Sequence, residues 1–244
     1  MPVVVPKVEL LAFTGGEKIA ALAAKLCYSD ASISDLTDAV AVSEQEKFLA
    51  TLNRMRHHSV FEHISFTFGI EGVSRAFTHQ LVRHRIASYS QQSQRYVAHT
   101  GGFDYIAPSS VAANTEALEK YNEIMNSIAG SYDKLAALGI PAEDARYLLP
   151  NACATKIIVT MNARELLHFF RLRCCERAQW EIRGVAVEML KKVVSLAPSV
   201  FGLAGPSCVS GACSEGRMSC GRASENRRKF EELRTSAMER NARL

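Results

Sequence analysis

No uninterrupted apolar run among the 244 residues approaches the roughly 20 that a membrane-spanning helix needs, so no membrane partner is expected. The start, Met1-Pro2-Val3-Val4-Val5-Pro6-Lys7, lacks the basic region and longer apolar core of a secretory leader, which suggests a cytoplasmic protein. No Gly-x-Gly-x-x-Gly follows a predicted strand and no Walker-type loop occurs, so any nucleotide must be held without a dinucleotide fold or a P-loop. Charge of one sign is scarce: 29 Lys+Arg against 25 Asp+Glu leave only +4 net, weak for a nucleic-acid footprint, and no nucleic-acid partner is expected. Paired Cys-x-x-Cys is missing from the seven cysteines, an odd number that fits reduced thiols better than a disulfide framework.

What remains is an ordinary globular composition, 48% hydrophobic and 22% charged, long enough to bury a substantial core. Val3 to Phe13 reads as a strand and Glu17 to Tyr28 as a helix. Residues 44 to 56 read as another helix, and Ile64, Phe66, Phe68 and Ile70 alternate with polar residues as a half-buried strand does. Ser74 is placed to cap a helix running to about Arg85, which would set Gln80, Arg83 and His84 on one side. Asn114 to Leu138 and Pro141 to Leu149 read as helices, and Lys156 to Val159 as a strand. Asn162 to about Leu196, without proline, predicts the longest helix. Strands mixed with helices but no regular βαβ alternation argue for an α+β (mixed α/β) fold: a single domain with a central sheet flanked by long helices. The charged segment from Ser224 to Leu244 predicts a solvated helix or a partly disordered tail.

The richest stretch is Arg83-His84-Arg85 followed by Ile86-Ala87-Ser88-Tyr89-Ser90-Gln91-Gln92-Ser93-Gln94-Arg95. Guanidinium forks and hydroxyls suit phosphates, carboxylates and heterocycle edges; the bland alternative is a solvated basic helix end. Further on, Leu166, Phe169, Phe170 and Arg173 share one helical stripe, continued by Arg177 and Trp180. An arginine aimed at a core cannot shed its charge and needs a partner, whether Glu62, Glu181 or a ligand, unless its head snorkels to the surface.

Arg-His-Arg, seven residues and a serine, running from Arg83 to Ser93, resembles the defining motif of the flavin-dependent thymidylate synthases. The blocks His57 to His63 and Asn162 to Glu181 extend the likeness over most of residues 20 to 185. The resemblance implies conversion of dUMP to dTMP, with 5,10-methylenetetrahydrofolate as carbon donor and FAD, reduced by NADPH, as hydride source. It implies a homotetramer with sites built from several subunits. Arg173 stands where the family's arginine contacts and ionises the uracil ring and is the expected catalytic residue. Contacts to dUMP are implied at Gln80, Arg83, Gln91, Ser93, Arg95, Arg146 and Arg173. Contacts to FAD are implied at Ser59, Arg83, His84, Arg85, Gln91, Asn162, Arg164 and His168, with Glu62 and Arg177 as further candidates. Gln91 and His168 stand where glutamate and asparagine are often found. Residues 1–206 are expected to form the catalytic domain and 207–244 a Cys-containing loop and charged tail. No metal is expected at His57 to His63, which lacks His-Glu-x-x-His spacing, whereas Cys208, Cys213 and Cys220 leave zinc open as an alternative to a reduced loop.

Overall fold

The computed structural model describes residues 2–42 and 45–241. The first half runs β1 (Lys7–Thr14), α1 (Gly16–Leu26), α2 (Ile33–Val42), α3 (Glu46–Arg54), a 3-10 turn (His58–His63), β2 (Ser65–Ser74), α4 (Arg75–Leu81) and β3 (Ala87–Gln91). The second half continues with α5 (Ser109–Ala112), α6 (Thr115–Ala137), α7 (Ala142–Ala145), β4 (Ala154–Asn162), α8 (Ala163–Arg173) and α9 (Trp180–Val193). It ends with α10 (Pro198–Phe201), α11 (Ser207–Ser210) and α12 (Ala223–Asn241). The strands form one sheet in the order β1-β2-β4-β3, so the mixed helix-and-sheet class predicted from sequence is the observed one.

Lys7 meets Glu71 at 3.5 Å and Phe13 stacks on Phe66 at 5.9 Å, so β1 and β2 run in opposite directions. Thr67 bonds Thr160 and the Arg75 amide bonds the Cys153 carbonyl, which sets β2 and β4 antiparallel as well. Phe66, Phe68 and Ile70 are buried while Ser65, Thr67 and Gly69 between them are not, as the alternation predicts. β1 begins only at Lys7: Pro6 has no N–H to give a ladder, and the residues before it pair instead with Tyr105. Gly72 is required in β2: at φ +66° a Cβ there would lie 2.3 Å from the Val5 carbonyl oxygen.

The chain divides into two compact units, one of Met1–Val8, Gly69–Arg83 and Tyr89–Val159, the other of Glu9–Phe68, His84–Ser88 and Thr160–Leu244. The first packs Phe103, Tyr105, Met125, Ala129 and Cys153 into a core beneath α6. In the second, a line of rings runs from Phe13 through Phe66, Phe201, Phe170 and Phe169 to His84, neighbouring centroids 4.9–5.9 Å apart. Each fully buried phenylalanine stabilises by about 1.5–3 kcal/mol.

Three sequence expectations are corrected. The helix predicted over Asn162 to about Leu196 is two helices, α8 and α9, and the longest is α6 with 23 residues. Between them Ala178 N–H turns back to the Cys175 carbonyl, and Gln179 Oε1 accepts the amides of Glu181 and Ile182 at 3.0 and 3.2 Å. Glutamine is outside the usual capping set, so its signal was illegible; the break also leaves Arg177 exposed rather than on the apolar stripe. Second, α4 is capped by Ser74 as predicted but stops at Leu81, whose carbonyl accepts the Tyr89 hydroxyl at 2.9 Å, and Ala87 to Gln91 form β3 beyond it. Third, the charged tail is a docked helix as far as Asn241, with Phe230 fully buried; its last three residues lie outside the described ones.

Candidate active site

The first unit carries Gln80, Arg83, Gln91, Ser93, Arg95 and Arg146. β3 delivers Gln91, whose amide nitrogen donates to Thr78 Oγ1 at 3.1 Å and to Thr155 Oγ1 at 3.4 Å, fixing the side chain between α4 and β4. In the turn that follows, Ser93 Oγ accepts the Arg95 amide at 3.1 Å. Arg95 Nε donates to the Glu143 carboxylate at 3.0 Å, and Arg146 Nε donates to the Glu143 carbonyl at 3.1 Å. Two guanidinium groups thus converge on Glu143, whose carboxylate already pairs with Arg95, so a phosphate here would have to displace it. Glu143 was missed from sequence; its only signal is its place three residues before Arg146. A cleft of about 930 Å³ in this unit, lined among others by Lys7, Glu71, His99 and Lys156, is lined by none of the six.

The second unit carries Ser59, His84, Arg85, Asn162, Arg164, His168 and Arg173. Asn162 ends β4 and caps α8, its Oδ1 accepting the Glu165 amide at 2.9 Å. One turn holds Ser59, exposed, and Glu62, which pairs with Arg164 from α8. At the other end of α8, Arg173 Nε donates to His84 Nε2 at 3.0 Å, and His84 Nδ1 lies 3.1 Å from Glu165 Oε1. At Nε the arginine's partner is therefore an imidazole, which sequence had not offered. Burial lowers the basicity of Arg173, yet a guanidinium remains charged.

His84 is only 4% exposed, and burial, then the charges of Arg173 and His168, push its pKa down to about 4. Although His84 and Glu165 are spaced like an ion pair, a ring that accepts from arginine is neutral, and the contact is a hydrogen bond. A depressed histidine stabilises the fold above its unfolded pKa and loses that stability as pH falls, because the unfolded chain takes up the proton first. Between pH 7 and 5 this group is expected to withdraw about 2 kcal/mol. His58 and His99 are lowered too, mainly by burial, while Glu17 and Glu165 are raised by it and act in the opposite sense. Denaturant unfolding at both pH values, in wild type and His84→Asn, isolates the effect of this histidine: the variant's acid loss should be smaller by about that amount, and equal losses would refute it.

His84, Glu165 and His168 offer three ligand atoms within 4.8 Å of one another. Both nitrogens of His84 are already engaged, one by a cation, so a metal there would have to break the Arg173 contact. Cys208, Cys213 and Cys220 do not converge into such a group among the described residues. Cys208 instead packs against α12, its carbonyl accepting from Arg227 Nε at 2.8 Å. Cys174 is buried, which raises its thiol pKa and suits packing rather than reaction.

The expected flavin residues are rich in donors: a hydroxyl, side-chain amides and guanidinium groups, with Ser59, Arg83, Arg85 and Arg164 exposed. That donor set fits a cofactor with an anionic diphosphate and a heterocycle edge of carbonyl oxygens and ring nitrogens.

The fold is shared with a UMP/dUMP methylase, PolB of Streptomyces cacaoi, solved with 5-bromo-dUMP; the TM-score is 0.73 at 23% identity, over 82% of this chain and 94% of that one. A family model described as thymidylate synthase complementing protein matches residues 9–199. The flavin-dependent thymidylate synthase of Geobacter sulfurreducens is 55% identical over 229 residues, 93% of this chain and 99% of its own. That of Clostridium tetani is 50% identical over 236 residues, 90% and 94% of the two chains. The chain belongs to the flavin-dependent thymidylate synthase family.

Proposed function

We propose that the protein converts dUMP to dTMP, taking the methylene carbon of 5,10-methylenetetrahydrofolate and using NADPH to reduce its FAD. The observation that carries the chemistry is Arg173, a permanent cation oriented by a neutral, buried imidazole. A fixed guanidinium stabilises negative charge as it develops on the uracil ring, activating the pyrimidine toward the carbon donor. Arg95 and Arg146, with Ser93, take the 5′-phosphate, and Gln80, Arg83 and Gln91 complete the dUMP contacts. Ser59, Arg83, His84, Arg85, Gln91, Asn162, Arg164 and His168 are the residues for FAD. Bound FAD supplies the hydride; the protein orients the reactants and excludes water.

We infer that the working form is a cytoplasmic homotetramer. Ile86, Tyr96 and Tyr147 are 65%, 81% and 85% exposed beside the cationic residues, apolar surface that assembly would cover. Residues 1–206 form the catalytic part and 207–244 an appended segment; among the described residues no helix is long and apolar enough to cross a membrane.

The test is the visible spectrum of the purified protein, then anaerobic NADPH reduction with and without dUMP, then a dTMP assay with methylenetetrahydrofolate. A flavin spectrum bleached by NADPH, with dTMP formed, is expected. A protein that takes up no FAD, or holds FAD and makes no dTMP, would overturn the reading.

A further inference from the structure

Glu165 lies inside the Asn162 to Glu181 block, but no role for it was legible from sequence. It stands three residues after Asn162, the spacing of a capping box, in which the glutamate side chain would reach back to the helix start. Only half of that box is made: Asn162 Oδ1 accepts the Glu165 amide, but the Glu165 carboxylate turns to His84. The residue is 9% exposed, and burial raises its pKa, so a carboxylate here costs stability that a packed apolar side chain would not.

The donors settle the direction of the line. A guanidinium has N–H groups and no acceptor, so His84 must accept from Arg173 at Nε2. A neutral imidazole accepting at Nε2 carries its proton on Nδ1, where it points at Glu165 Oε1. Phe169, edge-on to the ring at 4.9 Å, holds the imidazole plane.

We propose that Glu165 is a positioning residue for Arg173: it holds His84 in its Nδ1–H tautomer, so that the Nε2 lone pair faces the guanidinium and fixes its direction. The proposal rests on the reading of Arg173 as the residue that meets the pyrimidine. Without the carboxylate, His84 is free to move its proton to Nε2, which would then oppose the Arg173 N–H and displace the group.

The test is a double-mutant cycle on FAD-loaded protein with dUMP affinity read by calorimetry, alongside kcat for dTMP formation. Glu165→Leu is expected to weaken dUMP binding and lower kcat, each about tenfold or more, the scale of losing a supporting hydrogen bond. Glu165→Gln keeps an oxygen that can accept from Nδ1–H and is expected to restore both to within about threefold. In an Arg173→Ala background, Glu165→Leu should weaken dUMP no further. Equal weakening in both backgrounds, or Gln failing as badly as Leu, overturns the positioning role while leaving Arg173 in place. Unchanged dUMP affinity and kcat in Arg173→Ala alone overturn the Arg173 reading and this proposal with it. Should Glu165→Leu unfold, Gln against wild type and within the Arg173→Ala background supplies the comparison.

Discussion

Arg173→Ala is expected to lower kcat for dTMP formation by a factor of about 10²–10³, the usual loss when one preorganised charge-stabilising donor is removed. The expectation rests on three features of its place. Arg173 is the last residue of α8, where the helix dipole favours a cation. It is half-buried, so charge that develops nearby is less screened than in water. Its Nε–H is committed to His84, so the direction of the guanidinium is set before substrate arrives. Arg173→Lys separates charge from geometry. A lysine keeps the cation but is a point charge on a flexible stem, without the planar fork. It should recover only part of the loss. The measurement is steady-state dTMP formation with FAD occupancy and dUMP affinity determined in the same preparations. An alanine variant within threefold of wild type would remove Arg173 from the chemistry.

The sequence made local patterns legible and tertiary ones largely illegible. β2 was readable because its apolar residues alternate, and α4 and α6 because Ser74 and Asn114 are ordinary caps, each accepting the amide three residues on. The α8–α9 break was not readable: Gln179 caps through a side chain seldom used so, and the tie that braces the elbow is Glu176, bonded to Arg183, Arg222 and Lys229. Two of those three partners lie more than forty residues away, beyond any periodicity argument. The same limit applies to the site. Arg173 was named from the motif and its need for a partner was plain from the physics. The partner found at its Nε, His84, lies 89 residues away and was expected to face the flavin. Arg83 to Ser93 gave the residue types but not the strand that orders them, since Ser-Tyr-Ser-Gln reads as loop until an adjacent β4 supplies its ladder.

The tail is where composition misled most, and Phe230→Ala should expose it. Ser224 to Leu244 is dominated by charge, yet α12 lays Phe230 into the second unit with no exposed surface. The ring packs against Gly205, where a Cβ would stand only 3.0 Å from Phe230 Cδ1, so backbone and ring approach as closely as a missing side chain permits. Around it, Asn226 is buried, Arg227 bonds the Cys208 carbonyl, and Arg234 bonds the Ala204 carbonyl at 3.2 Å. These polar ties are partly exposed, and such contacts contribute about 1–2 kcal/mol each; the buried ring is the anchor. Its removal should cost about 3–5 kcal/mol, transfer and cavity terms together. The helix should then detach before the rest unfolds, because the remaining ties cannot hold it alone. Limited proteolysis is expected to cut within residues 223–241 of the variant under conditions that spare wild type, and the thermal midpoint should fall. A Phe230→Leu variant, which fills most of the same space, should lose much less. If alanine cost under about 1 kcal/mol, below the range for a buried phenylalanine, α12 would be a solvated appendage after all.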